Sequence, residues 1–304
     1  MERITELLIQ HNILNKKKEL QPITTGAGGA CMFSVENKYA VKYANLPILN
    51  YETRKQCRKE FDFYTACANK KLDFLPEIVF STADDTEILI VMKLYNPIKP
   101  NEWDENLQKT AAELCAKINA VDATDFNNIF QIQEEEPPYP LSLSYQNWIN
   151  LQEKFPQNIN AALLKEMHEN FADISSLGES AIPKTLCHGD YHPQNFVRNA
   201  GKLIICDWQN VGMGKGIGDI TFFISRGADM GLKIDRDKLI ADYCGALLRY
   251  ANINVSMNDL YKTVAVNEFT VSFKFWAQYL QESDIDRVIH IYDAMVESYR
   301  FIVG

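Results

Sequence analysis

A polar stretch of ten residues, joined to two short apolar segments, limits what this chain can fold into more than any other feature. Residues 187–196 read CHGDYHPQNF, and the apolar segments NFVRN and KLIICD run on from its end with a turn between them. Gly189 and Pro193 oppose a helix across the stretch, while the apolar segments predict a tight β-hairpin. A packed core gains nothing from unpaired polar groups, so we expect a loop whose polar side chains carry chemistry.

The hairpin predicts which of these side chains meet. Asn195 lies at the start of the first strand and Asp207 ends the second, so a tight hairpin brings the two close together. Hard oxygen ligands of this kind suit Mg²⁺, which takes one or two carboxylates together with phosphate oxygens. Asp190, on the turn after Gly189, is then free to accept a proton from a hydroxyl. A metal on the phosphates and a carboxylate beside the nucleophile are what phosphoryl transfer requires.

The histidines and cysteines of the same region offer a different kind of metal site. His188 and His192 lie four residues apart, with Cys187 and Cys206 nearby. The glycine and the proline oppose the helix that would align the histidines, and the spacings are not those of zinc sites. We therefore favour a buried His188 that braces the loop. His192 either contacts substrate or stacks on a neighbour, and the sequence does not decide between these roles.

The segment HGDYHPQN, residues 188–195, resembles the catalytic loop of the aminoglycoside phosphotransferase and choline kinase-like superfamily, with His-Gly-Asp where protein kinases have His-Arg-Asp. Asp207, in the string DWQ, resembles the metal-binding aspartate of the kinase Asp-Phe-Gly motif. Gln209 stands in place of that glycine, and in this the chain resembles the ecdysteroid-kinase-like branch. The resemblance implies a protein-kinase-like fold that uses ATP and Mg²⁺. It assigns catalysis to Asp190 and Asn195, and metal binding to Asn195 and Asp207.

The order of the predicted elements agrees with two lobes. Residues 1–94 contain a glycine-rich turn, a hairpin, one helix of about twenty residues near 51–71 and two further short strands. Long helical periodicities then follow at 104–121, 159–174 and about 236–302. We predict an α+β, bilobal fold: a small N-terminal antiparallel sheet lobe with one main helix, residues 1–94, and a large, mainly helical C-terminal lobe, residues 95–304.

The strand YAVKY presents a lysine on an uncrowded face. Ala40, Lys42 and Ala44 point to one side and the intervening residues to the other, so the lysine can reach into a cleft. In the following helix, Glu60 shares a stripe with aromatic residues. A charge on such a buried face is costly unless it is paired, and Lys42 is its natural partner. Glu52 is the competitor, because the helix dipole favours a carboxylate near the helix start.

The resemblance adds the remaining nucleotide contacts. The lysine strand is similar to the kinase Val-Ala-Ile-Lys strand, whose lysine pairs the α- and β-phosphates. The turn TTGAGGA is implied to cover the phosphates with the backbone of Gly26, Gly28 and Gly29. Adenine would bond to the backbone near Met92 and Leu94, where a Met-Lys pair replaces an acidic pair frequent in the family. ATP binding is expected, and the choice between ATP and GTP stays open.

Composition excludes several other classes of protein. Asp plus Glu number 40 against 31 Lys plus Arg, so a net charge of −9 argues against a nucleic-acid binder. Seven scattered cysteines without a CxxC pair favour free thiols in a reducing compartment. The N-terminus lacks the apolar stretch of a signal peptide, and no apolar run approaches a membrane span. We expect a cytoplasmic protein that binds neither membrane nor nucleic acid.

The acceptor is predicted to lie between the catalytic loop and the C-terminal helices, near VNEFTVSFKFWAQYL, residues 266–280. Glu268 and neighbouring aromatic side chains could bind a cationic ligand there. The alternative, which we favour, makes these aromatics helix-core residues: Phe269, Phe273, Phe275 and Trp276. The acidic net charge is compatible with an amine-bearing acceptor such as choline or an aminoglycoside. The acidic, proline-broken loop EEEPPYP, residues 134–140, is left open as a lid.

Three functions are compared on these residues. The first is a small-molecule kinase that transfers the γ-phosphate of ATP to a hydroxyl. The second is a nucleotide-binding pseudokinase that acts as a scaffold, and the presence of Lys42, Glu60, Asp190, Asn195 and Asp207 argues against it. The third is a protein kinase. It is disfavoured because the chain lacks an Ala-Pro-Glu segment and runs quickly from the DWQ string into GIGDITFF, leaving little room for an activation loop.

Overall fold

The computed structural model describes residues 1–23, 30–130, 140–177 and 182–304. Within these ranges the strands are β1 Gln21–Pro22, β2 Cys31–Val35, β3 Tyr39–Asn45, β4 Ile78–Ala83, β5 Glu87–Lys93, β6 Asn96–Pro97, β7 Thr185–Cys187, β8 Phe196–Asn199, β9 Lys202–Ile205 and β10 Gly212–Gly214. The helices are α1 Glu2–Gln10, α2 Tyr51–Cys67, α3 Glu105–Asn119, α4 Asn127–Phe130, α5 Leu141–Lys154, α6 Ala161–Glu169, α7 Phe171–Leu177, α8 Ile217–Asp229, α9 Arg236–Ala246, α10 Met257–Val271, α11 Ala277–Tyr279 and α12 Ile285–Val303.

Two predictions concern residues outside these ranges. The phosphate-covering role of Gly26, Gly28 and Gly29 falls on residues 24–29, which the structure does not describe. The lid that the sequence leaves open also falls almost wholly outside the described residues, since only Pro140 of the segment 134–140 is described. Both therefore stay predictions.

A five-stranded antiparallel sheet in the order β1-β2-β3-β5-β4 forms the N-terminal part of the molecule. Side chains alternate across β3 as its sequence predicts. Ala40 and Ala44 pack in one core cluster with Phe63 of α2, while Val41 packs with Leu8 of α1 on the opposite face. Helix α2 therefore covers the side of the sheet that carries the lysine of β3.

The remainder of the chain is mostly helical, which confirms the predicted α+β class with an N-terminal antiparallel sheet. Helix α3 presents small buried residues, among them Ala111, Ala112 and Ala116, so that α9 and β7 pack closely against it. A second core cluster joins α5, α6, α7, α10 and α12 around the fully buried rings of Phe269 and Phe273. The catalytic-loop candidate lies between these helices and the sheet.

Several element boundaries differ from the sequence predictions. The predicted helix at 159–174 is two helices that break at Asn170, and the region 236–302 is divided among α9, α10, α11 and α12. Asn252 accounts for one of these breaks, because its left-handed φ of +53° ends the helical turn there. The hairpin strands are also shorter than predicted. Asn195 lies in a 3₁₀ turn just before β8, and Asp207 lies two residues beyond β9.

The cysteines and the helix lengths bear on two further expectations. Each of the seven cysteines lies within the described ranges and is a free thiol. None of the helices in those ranges combines the length and the apolar character that crossing a bilayer requires.

Candidate active site

His188 is the buried centre of the polar loop. Its ring is fully buried, with Nε2 3.0 Å from the carbonyl oxygen of Cys206. Its Nδ1 accepts a hydrogen bond from the backbone N–H of Asp190 at 3.2 Å, so Nε2 carries the proton and donates to Cys206. Burial lowers the pKa of His188 to about 4, and the ring is neutral at physiological pH. Both ring nitrogens are thus used within the loop, and the ring braces it as the sequence predicts.

Gly189 is required by its conformation and by its neighbour. Its φ is +78°, in the left-handed region, and a Cβ there would lie 2.2 Å from the carbonyl oxygen of Asn210. The His-Gly-Asp order therefore follows from the close approach of Asn210 to the loop. The sequence motif contains this glycine, but only the fold shows which group excludes a side chain.

Asp219, in the first turn of α8, binds the backbone of the loop. Its carboxylate accepts hydrogen bonds from the backbone N–H groups of His188 and Gly189, at 2.8 and 3.0 Å. Burial raises the pKa of Asp219 to about 6, against the opposing effect of these two bonds. The N-cap position of α8 is occupied by Gly216, so Asp219 does not cap the helix and instead braces the loop.

Asp190 is held ionised in front of this framework. The Nδ2 group of Asn195 donates to the carbonyl oxygen of Asp190 at 2.8 Å and to its Oδ2 at 3.1 Å. His192 Nε2 lies 3.5 Å from the same Oδ2. Burial on its own would raise the pKa of Asp190, but His192 and Asn195 outweigh it and the pKa lies below its ordinary value. The carboxylate is therefore an acceptor at neutral pH.

His192 and Asn195 take definite positions around this carboxylate. The His192 ring packs edge-on against Phe222, with ring centroids 6.0 Å apart, and lies beside Asp190 on its other side. It is therefore not a solvated side chain. Asn195 uses its amide N–H group toward Asp190, which leaves Oδ1 as the ligand atom of that side chain. The backbone N–H of Cys206 donates to the carbonyl of Asn195 at 2.9 Å, which places Asp207 one residue further along.

Asp207 is turned toward the sheet by its own backbone. Its φ of +68° is left-handed, a conformation that aspartate tolerates better than most residues, and it directs the chain from β9 into a 3₁₀ turn. Its Oδ1 lies 2.6 Å from Lys42 Nζ. The pair of oxygen-bearing side chains predicted from the hairpin, Asn195 and Asp207, therefore lies at the hairpin's open end, and Asp207 faces the lysine strand.

Lys42 joins two carboxylates from different parts of the chain. Its Nζ lies 2.5 Å from Glu60 Oε2 and 2.6 Å from Asp207 Oδ1, with Glu60 only 1% exposed. Burial alone would lower the pKa of Lys42, but the two carboxylates outweigh it and the pKa is raised. Glu60 also accepts from the backbone N–H of Trp208 at 3.2 Å. Glu52, the competing partner, is exposed in the first turn of α2.

Two residues that sequence reasoning did not use hold these groups in place. Trp208 is fully buried and stacks on Phe63 of α2, with ring centroids 4.6 Å apart, so the residue after Asp207 packs directly on the helix that carries Glu60. Asn119, at the end of α3, donates from Nδ2 to the carbonyl of Leu186 in β7 at 2.8 Å. The sequence signals for them are the large aromatic side chain of Trp208 and the apolar stripe that leads up to Asn119.

The family model described as a phosphotransferase enzyme family (APH) matches residues 19–251. This chain belongs to that phosphotransferase family. No protein among the curated ones compared with it matches by sequence.

Solved structures of similar fold cover nearly the whole phosphotransferase chain. The ADP-bound aminoglycoside phosphotransferase APH(2'')-Ib is 14% identical with a TM-score of 0.59, and covers 99% of each chain. The choline kinase LicA from Streptococcus pneumoniae is 14% identical with a TM-score of 0.57, and covers 98% of each chain. An ethanolamine kinase from Plasmodium vivax is 12% identical with a TM-score of 0.56, covering 97% of this chain and 86% of its own. At such identities the likeness concerns the fold.

The chain segment that leaves the sheet of this phosphotransferase is partly committed to internal hydrogen bonds. Met92, on the same face as Ala40, is buried opposite it in the β3–β5 pair. The backbone N–H of Leu94 donates to the carbonyl of Lys38 at 2.8 Å. An adenine base that bonds to the backbone of Leu94 would therefore use the Leu94 carbonyl oxygen and not the Leu94 N–H.

A cleft of about 1010 Å³ opens between the polar loop, residues 187–196, and the C-terminal helices, and we call it the helical cleft. The residues that line it include Gly189, Asn210, Lys215, Phe222, Glu268, Phe275, Trp276, Tyr279 and Glu297. The predicted aromatic segment divides in two. Phe269 and Phe273 are fully buried core residues, whereas Phe275 and Trp276 face the cleft.

Glu268 does line the helical cleft, but its charge is already paired. Both of its carboxylate oxygens accept hydrogen bonds from Arg236, at 3.0 and 2.9 Å, and Oε2 also accepts from Ser298. Both bonds from Arg236 come from one guanidinium nitrogen, Nη2, and the positive charge of Arg236 offsets that of the carboxylate. Glu268 is thus a braced part of the cleft wall, and Glu297 is a second carboxylate along it.

Proposed function

We propose that this phosphotransferase is an ATP- and Mg²⁺-dependent small-molecule kinase that transfers the γ-phosphate to a hydroxyl group. One observation carries the proposal: Lys42, 165 positions before Asp207 in the chain, bridges Asp207 and Glu60 beside a loop whose Asp190 is held ionised. A cation for phosphate oxygens and an anion for a hydroxyl proton are then present at one place. These are the groups that phosphoryl transfer needs from a protein.

The nucleotide is assigned to the side of the site that faces the sheet. Lys42 would bind its phosphates, with Glu60 fixing the lysine. Met92 and the Leu94 carbonyl would border the adenine, and Gly26, Gly28 and Gly29 would cover the phosphates. The ADP and ATP complexes of the structurally similar APH(2'') enzymes support an adenine nucleotide. In this proposal residues 1–94 form the nucleotide lobe and residues 95–304 the helical lobe.

The donor atoms of Asp207 and Asn195 fit a magnesium ion. A carboxylate and an amide oxygen are hard ligands, and Asn195 is oriented so that its Oδ1 is the ligand atom. Held by Asn195 and Asp207, Mg²⁺ would neutralise negative charge on the phosphates. The remaining coordination sites of such an ion are usually filled by phosphate and water, so two protein ligands suffice.

The other residues of the site would act on the acceptor. Asp190 would accept a hydrogen bond from the attacking hydroxyl and take its proton as the new oxygen–phosphorus bond forms, while the bond from the γ-phosphorus to the β,γ-bridging oxygen breaks and ADP leaves. Asn195 and His192 would keep the Asp190 carboxylate in place. His188, Gly189 and Asp219 hold the loop backbone rigid, so that the carboxylate does not need to reorganise during the reaction.

The helical cleft is assigned to the acceptor. It borders the catalytic loop at Gly189, and aromatic and acidic side chains lie along it. Hydroxyl compounds that carry an amine would be attracted to the acidic groups and to the faces of the aromatic rings. The choline kinase, the ethanolamine kinase and the streptomycin and gentamicin complexes among the structural neighbours support this class of acceptor.

The two other functions are less well supported. A nucleotide-binding scaffold would have no need of the complete set of contacts around Lys42 and Asp190. A protein kinase needs a surface that docks a polypeptide, and only residues 211–216 separate the turn after Asp207 from helix α8. We place the enzyme in the cytoplasm, where its seven thiols would stay reduced.

The test is ADP release with choline, ethanolamine, streptomycin and gentamicin as acceptors. It compares the wild type with Asp190→Asn and, as a matched control, with Asp85→Asn on an exposed turn. We expect acceptor-dependent turnover in the wild type and the control and a loss of about a hundredfold or more in Asp190→Asn. Equal turnover in all three proteins would remove Asp190 from the mechanism. A thermal shift with Mg-ATP but no turnover on any acceptor would favour the scaffold.

A further inference from the structure

The helix that forms one wall of the helical cleft contains an irregular turn. Between α10 and α11, residues Ser272–Trp276 form a π-turn, in which hydrogen bonds run to the fifth residue along and not to the fourth. Such turns are rare within α-helices and occur frequently at functional sites. This π-turn contains Phe275 and Trp276, two of the aromatic residues that line the cleft.

Two side chains of helix α5 bind the backbone of the π-turn. Ser144 Oγ donates to the carbonyl of Lys274 at 2.6 Å, and Trp148 Nε1 donates to the carbonyl of Phe273 at 3.1 Å. Ser144 and Trp148 lie four residues apart, so they share one face of α5, and both are almost completely buried. In a π-turn the backbone carbonyls no longer form the regular α-helical hydrogen bonds to the fourth residue along. When such carbonyls are buried, they need another donor. Helix α5 supplies donors at both positions.

The π-turn is also fixed on its other sides. Phe273 is fully buried in the second core cluster, so it anchors the turn to the protein interior. The guanidinium of Arg287, from α12, lies 5.6 Å from the centroid of the Trp276 ring. Just beyond the turn, Gln281 donates to the carbonyl of Asn147, again on α5. The aromatic wall of the cleft is therefore held from behind by residues that do not line the cleft.

We propose that the π-turn Ser272–Trp276 determines which acceptors the helical cleft admits, and that Ser144 and Trp148 are positioning residues that maintain it. The proposal rests on the proposed function only in treating the cleft as the acceptor site. Without its two donors the turn relaxes toward ordinary α-helical register, and the directions of Phe275 and Trp276 change. Lys42, on the nucleotide side, bonds to Glu60 and Asp207, whereas Ser144 and Trp148 bond to the π-turn, so we expect the nucleotide site to be left as it is.

The first test measures the conformation of the π-turn without any acceptor present. The chain has four tryptophans, and Trp103, Trp148 and Trp208 are buried while Trp276 is partly exposed. Quenching of intrinsic fluorescence by acrylamide therefore reports mainly on Trp276. We expect stronger quenching and faster amide exchange across residues 272–277 in Ser144→Ala. The control is Ser142→Ala, an exposed serine on the same helix.

The second test measures the KM for the acceptor and the KM for ATP. In Ser144→Ala and Trp148→Phe we expect the KM for the preferred acceptor to rise about fivefold, the equivalent of one buried hydrogen bond, with the KM for ATP unchanged. A Ser144→Thr variant keeps the donor and should restore the wild-type KM. Because a structural defect would lower both substrates' affinities together, the split between the two KM values is the decisive readout.

The outcomes separate the inference from the proposed function. If no acceptor is phosphorylated, the proposed function fails and the quenching data decide the inference alone. Equal quenching and equal amide exchange in Ser144→Ala and Ser142→Ala would overturn it. If turnover is found, an acceptor KM in Ser144→Ala and Trp148→Phe that equals the control's would overturn it, as would a parallel rise in the KM for ATP.

Discussion

The ammonium group of Lys42 lies 2.6 Å from the carboxylate of Asp207, so a strand of the N-terminal sheet is joined directly to the hairpin of the helical part. Glu60, at 2.5 Å from the same nitrogen, completes the trio and is its buried member. The lysine proposed for the phosphates and the aspartate proposed for the metal are thus in direct contact. Their contact orients both groups toward one place.

The first prediction concerns the charge that Lys42 neutralises. Lys42→Met leaves Glu60 buried without a cation, which is expected to cost about 3–5 kcal/mol of unfolding free energy. The double variant Lys42→Met/Glu60→Gln should recover most of that stability but no turnover, because the phosphate-binding cation stays absent. Urea denaturation and ADP release measure the two effects.

Lys109→Met, an exposed lysine on α3, is the control for this series. Its stability should match the wild type. A Lys42→Met protein as stable as the Lys109→Met protein would show that Glu60 does not depend on the lysine.

The second prediction concerns the glycine of the catalytic loop. Gly189 and Gly201 both have a left-handed φ, +78° and +84°, but a Cβ would meet the Asn210 carbonyl only at Gly189 and open space at Gly201. Alanine at either position is expected to lower the unfolding free energy by about 1–3 kcal/mol, because its backbone would be held in a left-handed conformation. Gly189→Ala should also displace the loop and abolish turnover, whereas Gly201→Ala should keep a near-normal kcat.

Chemical denaturation and kcat on the two variants distinguish strain from displacement. If Gly189→Ala retained the kcat of Gly201→Ala, the close approach of Asn210 would have no bearing on the loop's function.

The third prediction concerns pH and two buried ionisable groups, His188 in the loop and Asp219 in α8, which bonds to the loop backbone. His188 has a pKa of about 4 against an ordinary 6.5, so the stability from its neutral form is present above pH 6.5 and lost as the pH falls toward 4. Asp219 has a pKa raised to about 6 from 3.8, so its contribution is present at low pH and lost as the pH rises through 6. Between pH 4 and 6 the two dependences oppose each other.

Variants should separate the two groups. As the pH falls from about 6 to about 4.5, the unfolding free energy of Asp219→Asn should fall relative to that of His188→Gln, with each group contributing up to about 1.4 kcal/mol per pH unit. All other ionisable groups are common to both variants, so their effects cancel in the comparison. Urea unfolding at the two pH values gives the result, and parallel pH dependences would contradict the pKa directions.

The fourth prediction concerns a hydrogen bond between α2 and the segment after Asp207. Gln56 Nε2 donates to Asn210 Oδ1 at 3.0 Å, and Asn210 is the residue whose carbonyl contacts Gly189. The bond therefore connects the helix of Glu60 with the catalytic loop. Gln56→Ala should lower kcat/KM about fivefold, as expected for one hydrogen bond, with unfolding stability changed by no more than about 1 kcal/mol.

Thr65→Ala on the same helix is the control, since its exposed hydroxyl donates to the carbonyl of Phe61 within α2. An equal kcat/KM in Gln56→Ala and Thr65→Ala would show that the bond does not affect the loop.

The parts of this fold that depend on short-range patterns could be predicted from sequence. The two-residue period of YAVKY places Ala40 and Lys42 on one face whatever lies elsewhere in the chain. The glycine and proline of residues 187–196 exclude a helix in the same local way. The cost of burying Glu60 among aromatic residues likewise indicates a cation opposite it.

Other features depended on contacts between distant segments, and the sequence could not decide them. Phe273 and Phe275 have the same side chain, yet one is core and the other lines the cleft, because the packing of α5 and the register of the π-turn assign their directions. Asn119 and Asp219 acquire their roles from the loop and strand that fold onto them. Sequence alone thus determined the local conformations and the charges that require partners. The tertiary structure decided which partners they have, because burial and hydrogen bonding are set by residues far away in the chain.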